Sequence, residues 1–143
     1  MKLTVGFDKL VITTDKSKLN LELIHNFLST AYWSKDRPKE IIDKSVERSL
    51  CFGVYYRNEQ IGFARVVTDY SIFAYLADVF ILEKYRGNGI GKKLIQTILN
   101  YPDIKDVKRW LLVTSDAHKF YAPLGFKNLD EPEKFMEIKR SKN

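Results

Sequence analysis

The stretch that decides the fold runs Tyr85-Arg86-Gly87-Asn88-Gly89-Ile90-Gly91-Lys92-Lys93. It follows a run of β-forming residues and opens a segment whose apolar residues have helical spacing. Glycines at alternate positions let the backbone turn tightly, so several N–H groups can point to one spot with no side chain in the way. The helix start adds unpaired amides and the positive end of its dipole, and Arg86 and Lys92 add charge. The stretch therefore predicts an anion site suited to phosphate.

Two common phosphate-binding motifs do not fit this stretch. The dinucleotide fingerprint needs G-x-G-x-x-G directly after a strand, whereas the spacing here is G-x-G-x-G and residues 83–86 intervene. The P-loop needs G-x-x-x-x-G-K-[ST], but Lys93 follows Gly91-Lys92 and Arg86 occupies the position of the first glycine. A tight connection without a ligand is the remaining alternative, although a simple turn rarely needs three glycines beside Arg and Lys.

The flanking sequence alternates strand and helix patterns. Asn20 is placed to cap a first helix, and Pro38 lies in the first turn of a second. Residues 57–60 form a polar hairpin turn, with Gly62 at a bulge. Strands are predicted at 5–13, 50–56, 61–68, 73–82, 110–114 and 135–139, and later helices at about 90–100 and at 117–124. The order β-α-α-β-β-β-α-β-α-β predicts a mixed α/β (α+β) fold, with helices flanking a central sheet of antiparallel and parallel strands.

Composition restricts the class of protein. The 143 residues, 45% of them hydrophobic, suit one domain spanning 1–143. The formal net charge is +6, but cations are interspersed with acids, which favours a solvated surface over a nucleic-acid interface. Cys51 is the only cysteine, and His25 and His118 are the only histidines, so we expect no metal site. No stretch approaches the ~20 apolar residues of a membrane span or resembles a signal peptide, which predicts a soluble, cytoplasmic protein.

The glycine-rich stretch has a predicted strand before it and a predicted helix after it. In this context it resembles the acyl-CoA signature [QR]-x-x-G-x-[GA] of the GNAT superfamily of N-acetyltransferases. Arg86, Gly89 and Gly91 match the three specified positions of that signature. Downstream, Phe120-Tyr121-Ala122-Pro123-Leu124-Gly125-Phe126 is similar to the family's F-Y-x-x-x-G-F. The predicted element order also matches the family's fold over nearly the whole chain. The resemblance implies acetyl-CoA as acyl donor, with its pantetheine along the strand end at Val79, Phe80 and Ile81. The residues implied to hold the rest of it are Arg86, Gly87, Asn88, Gly89, Ile90, Gly91, Lys92 and Phe120.

The resemblance also implies a direct acyl transfer from acetyl-CoA to a primary amine in a ternary complex. Tyr121 matches the family tyrosine that protonates the departing thiolate, and a phenol of pKa ~10 is a reasonable donor to a nascent sulfur anion. Asp78, on the strand face opposite Val79 and Ile81, is the candidate base, because a carboxylate in an apolar strand has either a structural or a catalytic role. Asp116, His118 or water are the alternative bases.

Two positions depart from the family pattern, and the acceptor is open. Glu83 stands where many relatives have proline, and Thr114 stands where the family often places a cofactor-contacting asparagine. Tyr32 and Trp33, in the connection between the first two helices, either line an amine pocket or pack that connection onto the sheet. The shortness of the chain favours a small-molecule acceptor, and the apolar residues near the C-terminus would suit a homodimer. The alternative functions are a non-catalytic acyl-CoA-binding sensor on the same fold and a basic nucleic-acid-binding module.

Overall fold

The computed structural model describes residues 3–140. Its centre is one five-stranded sheet in which the strands lie in chain order. The first three neighbouring pairs are antiparallel and the last pair is parallel, which confirms the mixed sheet. The strands are β1 (Leu10–Thr13), β2 (Leu50–Tyr56), β3 (Glu59–Thr68), β4 (Phe73–Ile81) and β5 (Arg109–Leu112). β1 begins later than predicted because Phe7–Lys9 forms a 3-10 turn.

The described residues contain four α-helices in the predicted order, of which the first three connect strands and the last follows β5. They are α1 (Leu21–Leu28), α2 (Lys39–Glu47), α3 (Ile90–Leu99) and α4 (His118–Tyr121), the last continued by a 3-10 turn, Ala122–Leu124. The predicted cap is confirmed, since the Asn20 side chain accepts a hydrogen bond of 3.0 Å from the amide of Leu23. In residues 3–140 no helix has the length and apolar character needed to cross a membrane.

Each face of the sheet is covered by different helices. On one face α3 buries an apolar stripe that includes Leu94 and Ile98 against side chains such as Val54 and Val66. On the other face α1 and α2 pack residues such as Ile24 against the sheet. The strands between these layers are therefore buried on both faces, and the sequences of β2 and β3 are correspondingly apolar.

The β2–β3 hairpin is tighter than the sequence predicts. Arg57 and Asn58 both have positive φ, 51° and 66°, and form a two-residue turn, so β3 already begins at Glu59. The register then shifts between the pairs Tyr55–Gln60 and Val54–Gly62, which places a bulge beside Gly62. The predicted bulge is thus present, one residue before the glycine.

A second bulge lies in β4, at Asp78. Phe63 pairs with Phe80 and Arg65 pairs with Ala77, so two residues of β4 oppose one residue of β3. Asp78 has φ 53°, a left-handed conformation that Asp tolerates better than most residues. The extra residue directs the Asp78 side chain toward the connection between α1 and α2, while Val79 packs against the α3 side.

The predicted last strand, 135–139, is wrong. Pro132–Lys134 forms a 3-10 turn, and no described strand pairs with the residues that follow it. Alternating apolar residues form a strand only where a neighbouring strand supplies the hydrogen-bonding ladder. Met136 and Ile138 are instead 98% and 82% exposed.

We predict that Gly62→Ala destabilises the protein by about 1–3 kcal/mol, because overpacking a close backbone contact forces a shift. A Cβ at Gly62 would lie 2.9 Å from the carbonyl oxygen of Phe80 and 2.6 Å from Cδ1 of Ile81. Chemical denaturation measures the change. The matched control is Gly6→Ala, whose Cβ would meet only the Asp8 side chain. Equal stability of the two variants would show that β3 and β4 do not require the glycine.

Candidate active site

The site lies where two parallel strands separate. β4 and β5 pair from Phe73–Arg109 to Leu76–Leu112, after which β4 continues to Ile81 and no strand of residues 3–140 pairs with its β5 side. A pocket of about 550 Å³ opens at this divergence. Its lining includes Asp78 and Val79 of β4, Tyr121, and four residues that follow β5: Val113, Thr114, Asp116 and Ala117.

The glycine-rich loop presents free backbone amides, as its sequence indicates. Gly87 and Gly89 adopt left-handed conformations, with φ 82° and 76°, and α3 begins at the next residue, Ile90. The first amides of a helix have no acceptor within it. Among the described residues no group of the chain accepts a hydrogen bond from the amides of residues 87–92. Arg86 and Lys92 are exposed beside them, so the loop has the geometry and charge of an anion site.

Several of the predicted cofactor-binding side chains hold this loop in place. Nε of Arg86 donates to the carbonyl of Ile81 at 2.8 Å, which fixes the loop to the end of β4. Nδ2 of Asn88 donates to the carbonyl of Leu3 at 2.7 Å, and its Oδ1 accepts from the amide of Val5 at 3.1 Å. Ile90 is buried in the core. The sequence analysis missed the tie to residues 3–5, because no local pattern joins segments so far apart in the chain.

Tyr121 ends α4 beside the pocket. Its ring packs edge-on against Phe120 and Phe126, with centroid distances of 4.9 and 5.7 Å. Burial, with a smaller contribution from Tyr32, raises the pKa of Tyr121 to about 12, so the phenol is protonated at neutral pH and can only donate a proton there. Phe120 also lies against the glycine-rich loop, since a Cβ on Gly91 would be 3.3 Å from its Cζ. The two sequence motifs are therefore in contact.

Asp78 is the most enclosed polar group of the site, with its side chain 2% exposed. Its Oδ1 accepts from Nε1 of Trp33 at 3.0 Å, and Nη1 of Arg37 contacts both carboxylate oxygens at 3.2 and 3.1 Å. Nε of Arg65 donates to Oδ2 at 2.9 Å. The sequence analysis named Asp78 and Trp33 but missed both arginines. The available signal was that a buried carboxylate requires a cationic partner, and Arg65 lies on the neighbouring strand.

A tyrosine and a second carboxylate meet on the outer side of the pocket. The hydroxyl of Tyr32 donates to Oδ1 of Asp116 at 3.0 Å, joining the α1–α2 connection to the segment after β5. Oγ1 of Thr114 accepts from the amide of Ala117 at 3.0 Å, in the turn just before α4. His118 lines a neighbouring pocket instead. The structure thus brings Tyr32, Trp33, Asp78, Asp116 and Tyr121 to one pocket and leaves His118 outside it.

Comparison with known proteins relates the chain to one family. The model of the acetyltransferase (GNAT) family matches residues 19–126. A protein of Gibberella zeae that is named as an acetyltransferase is 31% identical over 146 residues, covering 85% of this chain and 81% of the relative. A GNAT-family structure from Xanthomonas campestris pv. campestris is 41% identical with a TM-score of 0.88, covering 91% of this chain and 92% of that chain.

A more distant structure shares the fold. It is a GNAT-family acetyltransferase from Elizabethkingia anophelis with acetyl-CoA bound, 21% identical and with a TM-score of 0.67. The match covers 86% of this chain and 79% of that chain.

We predict that Asp78→Asn lowers the free energy of unfolding by about 3–5 kcal/mol, because removing one partner of a buried ion pair leaves uncompensated charge. Both Arg37 and Arg65 lose their ionic partner in this variant. Urea denaturation measures the loss, and Asp103→Asn, at an exposed position, is the control. If the two variants unfold at the same urea concentration, the cluster does not stabilise the fold.

Proposed function

The chain belongs to the GNAT family of acetyltransferases, and from that premise we propose that it transfers the acetyl group of acetyl-CoA to the primary amine of a small molecule. The observation that carries this proposal is the pocket at the divergence of β4 and β5. There a strand edge without a partner, a protonated phenol and two carboxylates lie around one space. A volume of about 550 Å³ suits a small acceptor.

Acetyl-CoA would lie along β4 with its pyrophosphate at the start of α3. The amides of residues 87–92 and the side chain of Lys92 supply donors and positive charge for the phosphates. The backbone of Val79, Phe80 and Ile81, which has no β5 partner, is available to the pantetheine. Phe120 lies beside Gly91 and would border the bound cofactor at the start of α3. The bound acetyl-CoA of the Elizabethkingia anophelis relative is consistent with this cofactor.

The reaction we propose is direct attack of a neutral amine on the thioester. The amine nitrogen forms a bond to the carbonyl carbon, and a backbone amide of β4 stabilises the oxyanion of the tetrahedral intermediate. The C–S bond then breaks, its electron pair stays on sulfur, and Tyr121 gives its proton to the thiolate. The ammonium proton leaves to a base or to solvent, and the phenolate of Tyr121 is reprotonated from water.

The geometry favours Asp116 or water over Asp78 as the base. Three donors already occupy the carboxylate of Asp78, and two of them are guanidinium groups. The oxygens of this carboxylate are engaged in positioning Arg37 and Arg65. Asp116 is exposed and accepts from Tyr32, so it is accessible to an incoming ammonium group.

We also propose that the enzyme acts in the cytoplasm, without nucleic acid or metal. A homodimer that covers the exposed apolar side chains of Met136 and Ile138 is the proposed assembly, and light scattering measures its mass.

Acetyl-CoA at 100 times its Kd is expected to stabilise the folded protein by ~2.7 kcal/mol. For a domain of this length that raises the melting temperature by about 5–10 °C. Gly89→Trp, which places a large side chain at the left-handed helix cap, should abolish the shift. Lys105→Trp, at an exposed position outside the pocket, is the control. No shift of the wild-type protein at millimolar acetyl-CoA would contradict the cofactor assignment.

Tyr121→Phe is expected to lower kcat by about 10²-fold or more, the usual contribution of a positioned general acid. The aromatic ring remains, so its packing against Phe120 and Phe126 and the Kd for acetyl-CoA should be unchanged. Release of the CoA thiol measures the rate. Tyr70→Phe, at an exposed turn, is the matched control.

The pH profile provides an independent readout of the same assignment. Because the pKa of Tyr121 is raised to about 12, its proton is retained as the pH increases from 7 to about 10. The rate should therefore increase as the amine loses its proton and show no decrease from Tyr121 in that range.

A kcat of Tyr121→Phe within twofold of the wild-type value would remove Tyr121 from the mechanism. Binding of acetyl-CoA with no turnover of any amine would favour the sensor.

A further inference from the structure

We infer that the acceptor amine also carries a carboxylate, and that Arg37 and Arg65 bind it; this rests on the proposed function and deepens it. The two arginines reach the pocket from different elements, Arg37 from the α1–α2 connection and Arg65 from β3. Both line the pocket beside Asp78, and each side chain is only 13% exposed.

The charge of this cluster is unbalanced. Two guanidinium groups face one carboxylate, which leaves one positive charge in a largely buried place. Apart from Asp78, the two guanidinium groups have one further hydrogen-bond partner among the described residues, and it is neutral. Nη1 of Arg65 donates to the hydroxyl of Ser49 at 3.1 Å. A buried charge is stable only when it is paired, so the cluster suits one added anionic group.

Several donors of the two arginines are free to make that contact. Within residues 3–140, Nε and Nη2 of Arg37 and Nη2 of Arg65 have no hydrogen-bond acceptor. These nitrogens retain some exposure to solvent, since the hydroxyl of Tyr55 is the one fully buried, unpartnered side-chain nitrogen or oxygen among the described residues. Both arginines line the pocket. Guanidinium groups bind planar carboxylates through such paired donors.

The outer part of the pocket has the opposite balance. Asp116 and Glu137 line it together with Lys139, and all three are exposed. A molecule with an anionic end toward the arginines and an ammonium end toward Asp116 matches this distribution. Asp78 and the arginines that bind it lie beside the part of β4 along which the pantetheine is proposed to lie, which favours an acceptor with its amine and its carboxylate close together. An amino acid has that arrangement, whereas a polyamine would place a second cation beside the arginines.

The size of the unbalanced charge distinguishes carboxylates from phosphate and phosphonate groups as ligands of the arginines. A carboxylate carries a single charge and neutralises the cluster, whereas a phosphate dianion would leave an excess of negative charge. We therefore assign the acceptor to the amino carboxylates rather than to amines that bear a phosphate or phosphonate group.

The test compares matched amines with the wild-type enzyme. The panel is glycine, L-alanine, L-leucine, L-phenylalanine and L-lysine, each beside its carboxamide, with 2-aminoethylphosphonate and spermidine as further arms. Because a carboxamide lowers the pKa of the neighbouring amine, kcat/KM is expressed per neutral amine. Charge-assisted hydrogen bonds predict that at least one acid exceeds its carboxamide by about 10-fold or more.

Variants then assign the preference to the arginines. Arg37→Gln and Arg65→Gln should reduce the ratio of acid to carboxamide toward 1, with an unchanged KM for acetyl-CoA. Arg37→Lys keeps the charge but loses the planar fork, so it should give an intermediate ratio. Arg48→Gln, at an exposed position outside the pocket, is the control and should keep the wild-type ratio. Thermal melts identify any variant that fails to fold, and the wild-type comparison does not depend on them.

Calorimetry of the same panel in the presence of CoA distinguishes a failure of the carboxylate site from a failure of the proposed transferase function. If acids bind more tightly than carboxamides but no amine is acetylated, the carboxylate site stands and the proposed transferase function fails. If carboxamides, spermidine or the phosphonate match or exceed the acids throughout, the inference is overturned while the transferase function stands. Absence of both binding and turnover for every acid also overturns it.

Discussion

β3 supports β4 up to its end at Ile81, whereas β5 supports it only as far as Leu76, and the site depends on that difference. A strand edge without a partner exposes backbone N–H and C=O groups that must be satisfied by something else. In this chain the unpaired edge of β4 lines the pocket, which is bordered by α4 and by the α1–α2 connection. The divergence therefore creates both the pocket and the hydrogen-bonding groups that line it.

The segments that follow the two strands converge on this opening. After β4 the chain turns through the glycine-rich loop into α3, and after β5 it turns into α4. The two helices meet where Phe120 lies against Gly91, and a larger residue at that glycine would force the ring away. This contact, and the packing of Tyr121 against the core on the α3 side, place Tyr121 on the same side of the sheet as the helix that the loop begins. One close approach thereby couples the anion site to the proposed proton donor.

The opposite side of β4 is organised by charge. The bulge at Asp78 directs a carboxylate into the space beneath the α1–α2 connection, where Trp33, Arg37 and Arg65 bind it. This cluster anchors a connection that has little regular structure of its own. It also makes the inner part of the pocket proposed for the acceptor positive, whereas a hydrophobic anchor would leave it uncharged. Stability and selectivity would thus share the same residues.

The sequence alone determined the order of the helices and of the first five strands, the glycine-rich loop at the start of α3 and a short helix that contains Tyr121. These features depend on local spacing, on glycine at positive φ and on helix caps, all of which a few neighbouring residues specify. It also identified Asp78 as exceptional, because a carboxylate in an apolar strand requires a partner. Its prediction of a strand at 135–139 was wrong because a strand requires a pairing neighbour that no local pattern specifies.

Only the tertiary structure decided which residues surround Asp78. Arg37 and Arg65 are 41 and 13 positions away in the chain, and the register shift that brings them together comes from the pairing of β3 with β4. The tie between Asn88 and residues 3–5 is likewise a contact across more than 80 positions. Such contacts depend on how complete elements pack against one another, which residue spacing within a single segment does not encode. The charge balance of the acceptor pocket is therefore a property of the folded chain.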